Sequence, residues 1–234
     1  MEAIILAGGL GTRLGNIAGN LPKAMVPVNG KPFLELLIQY LQRHHFEKII
    51  LSVGHLKDHI IRYFGSGYQG IDISYAIEEQ ALGTGGGLRL AMNAAIGDEV
   101  LVMNGDTFFN VELSGMLRQY RNDSGTDLLM AVKFMDDTSR YGTVVDDGNR
   151  KIIRFTEKTA EPAPGNINGG IYIVNRDFYL SATQAGSFSL EKDFLPVKMK
   201  SHKLKAYVSD AYFIDIGIPE DYERAQKEIG QFFP

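Results

Sequence analysis

Met1-Glu2-Ala3-Ile4-Ile5-Leu6-Ala7-Gly8-Gly9-Leu10-Gly11-Thr12-Arg13-Leu14 is the stretch that decides the fold. An apolar strand over residues 3–6 runs straight into a glycine-dense turn. Leu21-Pro22-Lys23-Ala24-Met25-Val26-Pro27-Val28 and Gly30-Lys31-Pro32 follow. Without side chains in the way, backbone N–H groups of such a turn can approach phosphate oxygens closely. Arg13 and Lys23 add fixed positive charge, so the run suits a polyphosphate. Two other glycine loops are excluded. A dinucleotide fingerprint needs G-x-G-x-x-G, and Leu14 stands where its last glycine belongs. A P-loop needs a hydroxyl after Gly-Lys, and Gly30-Lys31 is followed by Pro32. An ordinary strand-to-helix turn requires neither the cations nor so many glycines.

The chain has 234 residues, enough for one large α/β domain. Its net charge of −4 gives no support for a nucleic-acid or membrane partner, so any polyanion site must be local. It contains no cysteine, which rules out disulfides and thiolate metal sites. No apolar run approaches the length of a membrane span, and the N-terminus reads as a strand rather than a signal peptide, which fits a cytoplasmic enzyme.

Strands and helices alternate through the first half. Strands are predicted at 3–6, 48–53, 71–77 and 100–103, and helices at 33–42, 57–64 and 86–95. The helix at 33–42 carries Phe33, Leu34, Leu37, Ile38 and Leu41 on one face. Such alternation predicts a mainly parallel sheet covered on both faces, with ligands at the carboxyl ends of its strands. The second half is richer in strands, at 127–134, 143–146, 151–155 and 170–175, with Asp147-Gly148-Asn149 as a hairpin turn. Helices are expected at 189–198, capped by Ser189, and at 220–229. The expected architecture is a single 1–234 domain, α/β, three-layered and Rossmann-like. Residues 1–110 and 111–234 form two halves on one mixed central sheet.

Three further constellations carry chemistry. Val100-Leu101-Val102-Met103-Asn104-Gly105-Asp106 sets Asp106 at a strand's carboxyl end, where a carboxylate can hold Mg²⁺ against substrate phosphates. Asn-Gly-Asp alone can also be a plain turn. In Tyr212-Phe213-Ile214-Asp215-Ile216-Gly217, Asp215 lies between two isoleucines; a carboxylate there either meets a cation or caps a helix. Asp221 reads as capping or solvated. In Glu78-Glu79-Gln80-Ala81-Leu82-Gly83-Thr84-Gly85-Gly86-Gly87 the glycines let a loop lie flat against a planar base. Glu79 or backbone carbonyls could accept from guanine's donors, and Gln80 could bond many bases. The same loop could be a hinge with Glu78 and Glu79 in solvent. His55 and His59 have zinc-like spacing but no third ligand.

Taken together, these motifs resemble those of the sugar-1-phosphate nucleotidyltransferases, also called sugar-nucleotide pyrophosphorylases, and the likeness covers essentially the whole chain. The resemblance implies a glycosyltransferase-A-like nucleotidyltransferase fold. It implies a nucleoside triphosphate held by Leu6, Ala7, Gly8, Gly9, Gly11, Thr12 and Arg13, with Glu79, Gln80, Leu82, Gly83 and Thr84 at the nucleoside. Asp106 and Asp215 would bind Mg²⁺. Phe155-Thr156-Glu157-Lys158 and Asn168-Gly169-Gly170-Ile171-Tyr172 match the sugar side. There Glu157 and Asn168 would bond sugar hydroxyls, Lys158 would take the sugar phosphate, and Asn104, Gly105, Tyr141, Gly142 and Gly169 would line the ring. Arg13, Lys23 and Lys158 are the implied catalytic cations.

A finer likeness runs through Arg140-Tyr141-Gly142-Thr143-Val144, Phe188-Ser189-Leu190-Glu191-Lys192-Asp193-Phe194-Leu195 and the second aspartate segment. These stretches look like the D-glycero-α-D-manno-heptose-1-phosphate guanylyltransferases, which make GDP-sugars for surface polysaccharide. One departure is the absence of tryptophan: many relatives carry one near the second aspartate, where this chain has Phe213. The implied partners are GTP and a sugar 1-phosphate, with homo-oligomerisation left open. Mannose, glucose or another hexose 1-phosphate with UTP, dTTP or CTP is the alternative substrate set. A catalytically inactive nucleotide-sugar-binding regulatory subunit is the alternative class. Retention of Arg13, Lys23, Asp106, Lys158 and Asp215 together favours the enzyme.

Overall fold

The computed structural model describes residues 1–9, 14, 19–156 and 162–233. Its first half runs β1 (Glu2–Leu6), a short ribbon β2 (Pro27–Val28) and β3 (Lys31–Pro32), α1 (Phe33–Arg43), β4 (Lys48–Val53), α2 (Lys57–Phe64), β5 (Gly67–Tyr68), β6 (Ile71–Ile77), α3 (Gly83–Ala94) and β7 (Glu99–Asn104). The second half adds β8 (Thr107–Phe109), α4 (Leu113–Asn122), β9 (Leu128–Met135), β10 (Thr143–Asp146), β11 (Ile152–Thr156), β12 (Gly165–Asn175), α5 (Arg176–Ala182), α6 (Leu195–Lys198), β13 (Leu204–Val208), β14 (Phe213–Asp215) and α7 (Pro219–Glu228).

Strands β7, β1, β4 and β6 lie side by side and parallel. The alternation of side chains explains why both faces are covered. Ala3 and Ile5 of β1 enter one apolar cluster with Phe33, Leu34, Leu37, Ile38 and Leu41 of α1, while Ile4 enters the other with Leu88, Ala91 and Met92 of α3. The α1 face is the one its periodicity predicts. Each such fully buried side chain contributes roughly 1.5–3 kcal/mol of apolar transfer.

The sheet turns antiparallel at β12, and this strand creates the site. Its Ile171–Asn175 portion pairs with β7, its Asn166 and Ile167 pair with β10, and β9 runs along its other edge. The β9 register breaks between Asn168 and Tyr172. The ladder therefore opens just beyond the carboxyl end of β7. Gly170 takes φ +72 there, and a Cβ on Gly169 would lie 2.5 Å from the Phe109 ring. Beyond the opening, β8 and β14 form a separate antiparallel ribbon that sets Asp215 opposite Thr107.

Several boundaries differ from expectation. Helix α3 starts at Gly83, ahead of the expected 86, because its glycines pack on another segment. Strand β12 starts at Gly165 rather than 170, continuing past its glycine break. Residues 190–194 form a π-helical turn before α6, capped as expected by the Ser189 side chain, which accepts from the Lys192 N–H. Elements β2, β3, β5, β8, β13, β14, α4 and α5 are additions to the expected set. The Asp147-Gly148-Asn149 hairpin is present, with Gly148 at φ +85 and its N–H donating to Asp146 Oδ1 at 2.7 Å.

A methyl at the β12 break has nowhere to go, since the Ala131 carbonyl also stands 2.9 Å from that Cβ position. Gly169→Ala should cost about 1–3 kcal/mol by overpacking, lowering the thermal midpoint by roughly 2–4 °C per kcal/mol. An unchanged midpoint in a thermal melt would show that the break is looser than this geometry.

Candidate active site

Lys23 is the centre of the site. It sits in a short 3₁₀ turn, Lys23–Met25, and is 7% exposed. Its ammonium donates to Asp106 Oδ2 at 2.5 Å and lies 3.7 Å from Asp215 Oδ1. Asp106 follows β7 and Asp215 ends β14, so the two carboxylates come from opposite halves of the chain. The Ile216 N–H donates to the Asp106 carbonyl at 3.0 Å and the Gly217 N–H to Asp215 Oδ1 at 2.7 Å, which fixes both residues. Their side chains remain 34% and 24% exposed.

Two carboxylates converge on this one ammonium. Oxygen donors of this kind suit a hard divalent cation rather than a thiophilic one. Among the described residues no group of three or more His, Asp or Glu could hold a metal by itself. A divalent ion at Asp106 and Asp215 would draw further ligands from phosphate oxygens and water. Such oxygen donors fit a hard divalent ion of the kind the sequence implies.

Two hollows meet at Asp106. A cleft of about 570 Å³ opens at the β12 break, lined by Asn104, Asp106, Tyr141, Gly142, Asn168 and Asp215, among others. A second pocket of about 310 Å³ is lined by Leu6, Gly8, Gly9, Glu78, Gly83 and Thr84, and it shares Thr84, Asn104 and Asp106 with the cleft. Asn104 Oδ1 is buried at this junction with no hydrogen-bond partner among the described residues. A buried acceptor left unpaired is costly unless a bound group supplies the donor.

The remaining expected site residues fall as follows. Ala7 is buried and its N–H donates to the Ser52 carbonyl at 2.8 Å. Gly105 packs against the Leu6 backbone, to whose carbonyl its N–H donates at 2.9 Å. Gly169 lies under Phe109 rather than in the cleft. Asn168 lines the cleft, but its amide is engaged within the break: Oδ1 accepts from Gly170 N–H at 3.0 Å and Nδ2 donates to the Tyr172 hydroxyl at 2.6 Å. Burial holds that hydroxyl's pKa well above the usual tyrosine range. Gly11, Thr12, Arg13, Glu157 and Lys158 lie outside the described residues.

The loop after β6 differs from its expected reading. Glu79 and Gln80 sit in an adjoining hollow with Gly8 and Lys57, and the Glu79 carboxylate is 83% exposed, 3.5 Å from Lys57 Nζ. Glu78 is the inward carboxylate. It accepts from Leu82 N–H at 2.9 Å and Ser52 Oγ at 3.3 Å, against Gly8 and Gly87. The glycines of α3 are required by protein packing: Cβ atoms at Gly83 and Gly85 would lie 2.6 and 2.2 Å from Phe188. Phe188 belongs to the segment that brings Ser189, Glu191 and Lys192 into the cleft. Thr84 Oγ1 accepts from Leu190 N–H at 2.9 Å and donates to Glu191 Oε2 at 2.7 Å, tying that segment to α3. Sequence reading omitted Glu78, Arg140, Glu191 and Lys192 from the site. The signal for the last three lay in the stretches that carry the finer resemblance.

Asp221 is neither solvated nor a helix cap. It is 4% exposed, ion-paired with Arg140 and 3.2 Å from Arg224 Nη1. Burial of its carboxylate demands those partners.

The family model described as nucleotidyl transferase matches residues 2–231. The D-glycero-alpha-D-manno-heptose 1-phosphate guanylyltransferase of Aneurinibacillus thermoaerophilus is 44% identical over 232 residues, covering 99% of this chain and 100% of that protein. The Campylobacter jejuni subsp. jejuni serotype O:2 protein of the same description is 43% identical over 222 residues, covering 95% and 97% of the two chains. The crystal structure of HddC from Yersinia pseudotuberculosis complexed with GMP-PN superposes with a TM-score of 0.85 at 36% identity, covering 97% of this chain and 99% of that one.

The Thr84 tie is testable in isolation. Thr84→Val removes both hydrogen bonds while keeping the branched shape, a loss of about 1–3 kcal/mol locally. The Leu190 amide should then exchange with deuterium faster than in the wild type. Unchanged protection would mean that Phe188 packing alone holds the segment.

Proposed function

The chain belongs to the nucleotidyl transferase family, and on that premise we propose that it transfers a guanylyl group from GTP to D-glycero-α-D-manno-heptose 1-phosphate, releasing pyrophosphate. The observation that carries this reading is the position of Asp106. It lines both hollows and shares the Lys23 ammonium with Asp215, as a carboxylate must if one hollow takes the nucleotide and the other the sugar phosphate.

A sugar phosphate oxygen attacks the α-phosphorus of GTP, the α–β phosphoanhydride bond breaks, and pyrophosphate leaves. The attacking phosphate has a second pKa near ~6 and is already ionised at neutral pH, so no general base is needed. Alignment and charge neutralisation carry the catalysis. Residues 1–110 bind the nucleotide, with Arg13 and the loop over residues 8–12 on the triphosphate. Residues 111–234 bind the sugar, with Glu157 on its hydroxyls and Lys158 on its phosphate. Lys23 draws the two anions together. Mg²⁺ held by Asp106 and Asp215 would supply positive charge to the phosphate under attack.

Guanine and the heptose are supported by the descriptions of the two relatives and by GMP-PN in the HddC complex. The unpartnered Asn104 oxygen supports a hydroxyl donor at the junction of the hollows. No helix among the described residues is long and apolar enough to cross a membrane, which is compatible with a cytoplasmic site of action on GTP.

Asp106→Ala and Asp215→Ala should each lower turnover by on the order of 10²–10³ with the fold retained by circular dichroism. Near-normal turnover at limiting Mg²⁺ would remove that residue from the metal site. In the wild type, kcat/KM should favour GTP over UTP and dTTP, and heptose over mannose 1-phosphate, each by at least about tenfold, or ~1.4 kcal/mol. Equal use of UTP would overturn the guanylyl assignment; equal use of mannose 1-phosphate would overturn only the heptose.

A further inference from the structure

The ion pair between Arg140 and Asp221 has a geometry that packing alone does not require. Asp221 lies in the first turn of α7 and is 4% exposed, yet its carboxylate makes no cap for that helix. It instead meets two guanidinium groups, Arg140 and Arg224. Arg224 serves its own neighbourhood: it also reaches Glu228 at 3.3 Å and the Phe213 carbonyl. Arg140 differs. Its side chain is 42% exposed and lines the cleft beside Tyr141, Asn168 and Asp215. Its guanidinium stands 5.5 Å over the Tyr141 ring, which in turn meets Phe213 edge-on at 5.5 Å between centroids. An aromatic face and a buried anion thus hold a cation at the wall of the sugar-side hollow.

A guanidinium carries five donors in a planar fork. The carboxylate of Asp221 engages one side of that fork, so the fork is pre-aimed before any substrate arrives. Pre-organisation of this kind lowers the entropic cost of binding an oxyanion.

We infer that Arg140 is a ligand of the sugar 1-phosphate and that Asp221 is the positioning residue that aims it. This rests on the proposed placement of sugar phosphate in the cleft. It adds a dependence of sugar affinity on a buried residue of the C-terminal helix that touches no substrate. Arg140 lines the cleft and not the hollow lined by Glu78 and Gly8, so nucleotide affinity should not follow.

A mutant cycle tests this, using whichever sugar 1-phosphate the wild type turns over best; the wild-type substrate panel tests the underlying reading separately. Arg140→Ala should lower kcat/KM for the sugar 1-phosphate by about tenfold or more, the scale of one charge-assisted contact, with KM for the triphosphate within about twofold. Asp221→Asn should reproduce the same split. The double variant should lose no more than Arg140→Ala alone, because Asp221 acts through Arg140. Thermal midpoints separate this from mere loss of structure: Arg140→Lys, which keeps the charge and loses the fork, should retain most of the stability but not the sugar efficiency. Additive losses in the double variant, or equal loss of triphosphate and sugar efficiency, would overturn the inference.

Discussion

One ammonium holding two carboxylates organises this molecule. Lys23 lies on a turn between β1 and α1, Asp106 follows the central strand β7, and Asp215 ends a ribbon strand more than a hundred residues further on. Burial of Lys23 is tolerable only because the two anions are there, and the two anions can approach each other only because a cation stands between them. The β8–β14 ribbon and the Ile216–Asp106 backbone bond exist at this spot to deliver Asp215. The fold of the second half therefore serves a charge arrangement begun in the first.

The second constraint is the interrupted ladder of β12. A continuous antiparallel strand beside β7 would have closed the sheet and left no hollow at its carboxyl end. Gly169 and Gly170 let the strand change partners from β10 to β7, and the Asn168 side chain, held by the buried Tyr172 hydroxyl, accepts from the Gly170 N–H inside the interruption. The cleft is thus a defect in the sheet, stabilised by a polar pair within it. Its walls come from both halves, and Thr84 with Glu191 ties one wall to the other.

Much of this was legible in the sequence, for identifiable reasons. The parallel strands announce themselves because strands buried on both faces must be continuously apolar, as Ile4, Ile5 and Val100–Met103 are. Asp106 was readable because a carboxylate after such a strand lands in the ligand crevice. An acid between isoleucines must either meet a cation or cap a helix, and the structure brings Asp215 within 3.7 Å of the Lys23 ammonium. The roles of neighbouring acids were not separable: Glu78 and Glu79 are adjacent and identical in type, and only the direction of the last β6 residues decides which faces inward. Asp221 reads as capping or solvated for a related reason, since Arg140, which pairs with it, is remote in sequence. The α3 glycines read as a bed for a base, but Gly83 and Gly85 accommodate Phe188, Gly86 the Gly186 carbonyl and Gly87 the Glu78 carboxylate. Short elements such as β8 and β14 carry too few residues to show a period.

The most direct test is a crystal structure with a non-hydrolysable GTP analogue, sugar 1-phosphate and Mn²⁺ in place of Mg²⁺. Anomalous scattering would locate the metal independently of activity. The account predicts a peak within bonding distance of both Asp106 and Asp215, with the base in the hollow beside Gly8 and Glu78 and the sugar in the cleft beside Asn104 and Arg140. A metal ligated by neither aspartate, or a base seated in the β12 cleft, would contradict it.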